Sequence, residues 1–179
     1  MITSKIEGAV GTISLNHDAR RNALSEALVD EVVAALAEFS RQEVRCAVLR
    51  ANPGVTVWSA GHDVSELPVG GIDPLGWRDP LRHLIRELEN FTAPIIAMIE
   101  GSVWGGACET VLACDLIIAT PESSFSATPA KHGVPYNVSG LLTFLNSAPI
   151  HIAKEMLFTA QPVSHDIAAI SGIGPHTSV

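Results

Sequence analysis

Residues Pro94 to Ala119 read PIIAMIEGSVWGGACETVLACDLIIA, and this stretch organises the rest of the chain. Pro94 to Ile99 is an unbroken apolar run of strand length. Gly101-Ser102-Val103-Trp104-Gly105-Gly106 follows as a glycine-bearing turn, Gly105-Gly106 opens a helix through Ala113, and Leu116–Ala119 is another core strand. Apolar runs of this kind suit strands buried on both faces of a parallel sheet. Glu100, Glu109, Asp115 and the glycines interrupt the stretch too often for a membrane span.

The same rhythm extends towards the N-terminus. Ala9–Leu15 reads as a strand and Asn16–Asn22 as a polar turn. Ser25 is placed to N-cap a helix whose apolar face is Leu28, Val32, Leu36 and Phe39. Cys46–Arg50 is a short buried strand, Asn52-Pro53-Gly54 a turn, and Val55–Trp58 a second strand. Asp73–Pro80 is loop-like, and Leu81–Phe91 has the 3.6-residue period of a helix. Strand, strand, helix therefore recurs without sequence repetition. Two architectures fit that pattern: an α/β fold with one parallel sheet and covering helices, or a spiral of ββα units.

Composition excludes several classes. The 179 residues are 47% apolar and 17% charged, enough for one packed domain spanning 1–179 and too apolar for disorder. Net charge is −8 and the basic residues are scattered, apart from Arg20-Arg21, so no nucleic-acid surface is visible. Cys46, Cys108 and Cys114 are odd in number and lack CxxC spacing, which predicts reduced core thiols. His83, His151, His165 and His176 show no ligand spacing, so no metal site is expected. Lys5 and Glu7 interrupt the N-terminal segment where a secretory signal needs its apolar run. The expectation is a soluble cytoplasmic protein.

Two glycine-bearing turns carry the chemistry: Ser59-Ala60-Gly61-His62-Asp63 and Gly101 to Gly106. Glycine lets a backbone approach a ligand and turn its N–H outward. A helix opening at Gly105-Gly106 leaves its first amides unpaired. Facing each other, the two turns would form an oxyanion hole, worth roughly 3–4 kcal/mol per donor.

Four separated motifs in order carry a resemblance across nearly the whole chain. They are Arg21-Asn22-Ala23-Leu24, Ser59 to Asp63, Glu100-Gly101 through Gly105-Gly106-Ala107, and Cys114-Asp115-Leu116-Ile117-Ile118-Ala119. Together they resemble the crotonase superfamily, also called the enoyl-CoA hydratase/isomerase family. Ser59 to Asp63, Ser102 to Gly106 and Gly133-Val134-Pro135-Tyr136-Asn137 together are most similar to its decarboxylating members. The resemblance implies a crotonase-like ββα spiral core that takes acyl-CoA, with coenzyme A as part of the substrate and no separate cofactor. It implies an oxyanion hole from the amides of His62 and Gly106. Arg21, Ala23, Leu24, Ala60, Asp63, Gly105 and Thr128 would lie along the bound CoA thioester.

A second acid separates the family's reactions. Its hydratases carry two glutamates; here the first position is Glu109, but Phe125-Ser126-Ala127-Thr128-Pro129 has proline where the second should be. Hydration needs a held water and a proton for the α-carbon, tasks that paired carboxylates perform. Decarboxylation of a malonyl-type thioester, such as methylmalonyl-CoA to propionyl-CoA, needs neither. It needs the thioester oxygen polarised and the carboxylate held out of plane. Tyr136, the only tyrosine, resembles the residue that orients that carboxylate. Alternatives are a hydratase or isomerase working through Glu109, and a non-catalytic relative that binds acyl-CoA or oligomerises. Tyr136 and Glu109 also have structural readings, as a half-buried core tyrosine and a helix N-terminal charge. Trp58, Trp77 and Trp104 read as packing residues.

The resemblance departs at the C-terminus. Family members continue beyond Gly172-Ile173-Gly174 into helices that cover part of the CoA site and build homotrimers or hexamers, whereas this sequence runs to Val179. The expectation is a core lacking most of that helical region, with apolar surface exposed and the usual oligomer in doubt.

Overall fold

The structure is a computed structural model and describes residues 1–67, 76 and 78–170. Trp77, Gly172 to His176 and most of the expected loop before Pro80 lie outside the described residues. The chain opens with an antiparallel pair, β1 (Ile2–Glu7) and β2 (Val10–Leu15), followed by α1 (Glu26–Arg41). Three strand–strand–helix turns come next. The first is β3 (Cys46–Ala51), β4 (Val57–Ser59) and α2 (Pro80–Asn90). The second is β5 (Ile95–Ile99), β6 (Ser102–Trp104) and α3 (Gly106–Leu112). The third is β7 (Leu116–Ala119), β8 (Ser124–Ser126) and the short α4 (Pro129–His132). Helices α5 (Val138–Ser147) and α6 (Ile150–Thr159) follow, then β9 (Val163–Ser164) and α7 (His165–Ile170).

Each turn gives its first strand to one sheet and its second to another. The first sheet has the order β1-β2-β3-β5-β7, the second β4-β6-β8-β9. Strands β2, β3, β5 and β7 run parallel, as do β4, β6 and β8. This is the ββα spiral; of the two architectures the sequence pattern allows, the single covered sheet is set aside.

Local sequence explains the elements that matter. Ser25 accepts a hydrogen bond from the Leu28 amide at 3.3 Å and starts α1. The α1 stripe of Leu28, Val29, Val32, Leu36 and Phe39 is buried against the first sheet, each large side chain contributing about 1.5–3 kcal/mol. Phe39 can lie flat on β2 because Gly11 has no side chain; a Cβ there would come within 2.5 Å of the ring. Ala47, Leu49, Ala51, Ile95, Ala97 and Ile99 fill the layer beneath. Helices α1, α2 and α3 pack in succession, and α3 meets α5.

The structure revises some expected elements. Residues Ser102–Trp104 pair with β4 and β8, so the second glycine turn contains a strand. Leu116, expected in the core, is 46% exposed. Apolar exposure lies largely on the late helices, with Val138 and Phe158 each 73% exposed. No helix among the described residues is long and apolar enough to cross a membrane. The cysteines are free thiols; Cys108 is buried and Cys46 and Cys114 are half-buried.

Candidate active site

Both glycine turns sit at the ends of strands of the second sheet, β4 and β6, which run parallel as neighbours. That alignment brings Gly61 and His62 beside Gly105 and Gly106. The approach is so close that a Cβ on Gly61 would stand 2.4 Å from the Trp104 carbonyl oxygen and 2.8 Å from the Gly106 nitrogen. Gly61 also has φ +84°, a conformation few other residues adopt cheaply.

The segment 20–24 is strapped across this turn. The Ala60 amide donates to the Arg21 carbonyl at 2.9 Å, Leu24 N–H to the Gly61 carbonyl at 2.8 Å, and Asp63 N–H to the Leu24 carbonyl at 3.4 Å. Buried Asn22 donates through its side chain to the Trp58 carbonyl at 3.0 Å, and the Ser59 hydroxyl donates to the Asn22 carbonyl at 2.7 Å. Since Gly61 and Asp63 point their paired groups at Leu24, the alternation of extended backbone aims the His62 N–H to the other side. Gly106 is the first residue of α3 and its amide has no intrahelical acceptor. Neither N–H donates to any acceptor among the described residues. Both residues line one cleft, with Leu81, Thr128, Pro129 and Tyr136 also on its walls.

A second cleft, lined by Arg21, Val57, Ala60, Trp104, Thr128 and His132, joins the first through Ala60, Thr128 and His132. Lys131 places its ammonium 5.8 Å from the Trp104 ring centroid at this mouth. Trp104 is thus a cleft wall as well as a packing residue, whereas Trp58 is wholly buried and donates to the Met98 carbonyl at 2.9 Å. Thr128 precedes α4 without capping it, which leaves its hydroxyl facing the clefts. Ala23 lies within the strap, half-buried beside buried Leu24.

The conspicuous His62-Asp63 pair divides. The Asp63 carboxylate accepts from the Ser65 hydroxyl at 2.6 Å and amide at 3.0 Å, and from Arg20 at 3.0 Å. These bonds from Ser65, with Arg20 assisting, hold its pKa below the usual carboxylate range. Asp63 is therefore a turn residue tied to Arg20, while Arg21 faces the second cleft without an ion pair among the described residues. The His62 ring meets Asp79 instead, Nε2 to Oδ2 at 2.6 Å, and its Nδ1 lies 3.1 Å from the Asp63 carbonyl oxygen. Burial favours the neutral ring, but the bond and charge of Asp79 outweigh it and raise the pKa above the ordinary imidazole value.

Glu109 lies one turn into α3, 1% exposed, and pairs with Arg82 at 2.6 Å. Burial raises its pKa in spite of the Arg82 charge. Tyr136 stands next to it: a Cβ on Gly140 would lie 2.9 Å from the Tyr136 ring and 3.0 Å from Glu109 Oε2. The tyrosine ring packs edge-on against Phe144 with centroids 5.3 Å apart, and burial pushes its pKa well above the ordinary phenol value. Its hydroxyl has no hydrogen-bond partner among the described residues. The structure thus brings His62, Gly106, Tyr136 and Thr128 to one cleft, with Glu109 behind Tyr136. Sequence reasoning missed Asp79 and Arg82. The Asp79-Pro80 pair was the available signal, an N-cap residue followed by proline at the first helical position.

Residues 5–175 match the enoyl-CoA hydratase/isomerase family. The methylmalonyl-CoA decarboxylase of Escherichia coli is 48% identical over 167 residues, 93% of this chain and 64% of that protein. A short-chain-enoyl-CoA hydratase of Clostridium acetobutylicum is 27% identical over 168 residues, again 93% of this chain and 64% of the relative. Among solved structures, methylmalonyl-CoA decarboxylase in complex with 2-nitronate-propionyl-CoA superposes with TM-score 0.96 at 45% identity, covering 99% of this chain and 68% of that one. An enoyl-CoA hydratase subunit from Geobacillus kaustophilus gives TM-score 0.87 at 31% identity, covering 98% and 67%. The chain spans just under two thirds of the length of these curated relatives.

Proposed function

The chain belongs to the enoyl-CoA hydratase/isomerase family, and on that premise we propose that its cleft decarboxylates a malonyl-type thioester, methylmalonyl-CoA to propionyl-CoA. One observation carries the reading: two unpaired amides, His62 and Gly106, share a cleft whose described lining includes no carboxylate. Such a site can stabilise an enolate but holds no pair of acids to add water.

The thioester oxygen accepts from both N–H groups. The bond from the α-carbon to the carboxylate breaks, CO2 departs, and the electron pair spreads into an enolate held by the two amides. A proton from solvent water then adds at the α-carbon and completes propionyl-CoA. Donors preorganised where the charge develops contribute about 3–4 kcal/mol each. Tyr136 supplies the cleft's phenolic hydroxyl, free to donate to the substrate carboxylate and hold it out of the thioester plane. Glu109 supports Tyr136 from behind and spends its charge on Arg82. The nucleotide end of CoA follows the second cleft, where the Arg21 guanidinium meets phosphate.

Release of CO2 from methylmalonyl-CoA, without hydration of crotonyl-CoA, is the expected result with purified protein. Crotonyl-CoA hydration that disappears in Glu109→Gln would overturn it in favour of a hydratase. The enolate mimic 2-nitronate-propionyl-CoA should bind more tightly than propionyl-CoA.

A further inference from the structure

Asp79 uses its two carboxylate oxygens for different tasks. Oδ1 accepts from the Leu81 amide at 2.9 Å and the Arg82 amide at 3.3 Å, capping α2. Oδ2 takes the His62 ring at 2.6 Å, with the two side chains 6% and 9% exposed. The first turn of α2 then touches the rest of the site. Leu81 packs so closely on Gly106 that a Cβ there would meet it at 2.6 Å, and Arg82 grips Glu109. The ring's other nitrogen faces the Asp63 carbonyl, an acceptor only. The contact with Asp79 favours the charged ring and holds its orientation.

From this arrangement we infer that Asp79 is a positioning residue: its carboxylate fixes the His62 donor of the two-amide oxyanion hole through the ring. The inference rests on the reading that these amides hold an enolate oxygen. Residue 62 is then clamped on both sides, by Leu24 along its backbone and by Asp79 through its side chain. Loss of the Asp79 contact would remove one of these two anchors and leave residue 62 held by the Leu24 pairing alone. A donor displaced even modestly loses much of its value to an oxyanion, while contacts along the rest of CoA are untouched.

Asp79→Asn and Asp79→Ser test this. Both residues are good N-caps, so α2 keeps its start. Asparagine presents an N–H₂ where the ring needs an acceptor, and serine is too short to reach it. The probes are 2-nitronate-propionyl-CoA, which carries the enolate-like charge, and propionyl-CoA, which does not. Affinity for the nitronate should fall about tenfold or more in both variants, with propionyl-CoA changed less than about twofold. Both affinities unchanged, or both reduced by the same factor, would overturn the assignment. Binding is read without turnover, so a native chain that releases no CO2 refutes the proposed reaction and leaves this contrast to decide on Asp79.

Discussion

Replacing Gly61 with alanine should disable the site from a position outside the described cleft lining. The backbone there has φ +84°, which costs an alanine about 1–2 kcal/mol. The new methyl would also lie 2.4 Å from the Trp104 oxygen and 2.8 Å from the Gly106 nitrogen. Both are backbone atoms, so relief requires the two turns to separate. Overpacking of this kind adds about 1–3 kcal/mol, giving a total loss of roughly 2–5 kcal/mol. Separation pulls the Gly106 amide from its partner, and loss of one oxyanion donor lowers kcat by about 10²–10³. Gly8→Ala is the matched control. Its φ is +61° with nothing within 4 Å of the added methyl, so it should lose about 1–2 kcal/mol and no activity. Urea denaturation and steady-state CO2 release on both variants check the pair. A folded Gly61→Ala protein with kcat within about twofold of the native chain would refute the reasoning.

Three further outcomes follow from named contacts. Tyr136→Phe retains the edge-on packing with Phe144, so stability should hold while kcat falls about 10- to 100-fold and CoA affinity measured by calorimetry stays put. Arg82→Met strands the carboxylate of Glu109 in a site 1% exposed, a loss of about 3–5 kcal/mol near neutral pH. That deficit should shrink on acidification, because burial already raises the Glu109 pKa and the group can neutralise itself. For His62, a folded pKa above the unfolded value makes its pairing with Asp79 fully stabilising below about pH 6.5. That contribution is lost as pH rises through the raised value, with Glu66 the other acidic side chain favouring the charged ring. Chemical denaturation at pH values rising from about 6.5 should show declining stability in the native chain and a flatter profile in Asp79→Asn.

The long elements of the fold were legible because burial imposes one period on them. The α1 stripe from Leu28 to Phe39 and the apolar run Ile95–Ile99 lie where their patterns place them. The spiral was only half legible. Its second sheet is built from three-residue strands, Val57–Ser59, Ser102–Trp104 and Ser124–Ser126, too short to show a period. Helices α5 and α6 carry apolar residues on exposed as well as buried faces, Val138 and Leu142 among them, and no single stripe marks them. At the site, the glycine turns were readable because close backbone approach demands glycine. The Asp79 and Arg82 contacts join residues separated by 17 and 27 positions, and only the coiling of α2 against both turns brings them together.

A structure of the chain with an acyl-CoA enolate mimic bound tests the central claim most directly. The account predicts the thioester oxygen within about 2.7–3.1 Å of both the His62 and Gly106 nitrogens, with the acyl group against Tyr136. A thioester oxygen held by a side chain, or an acyl group seated away from these two amides, would contradict it.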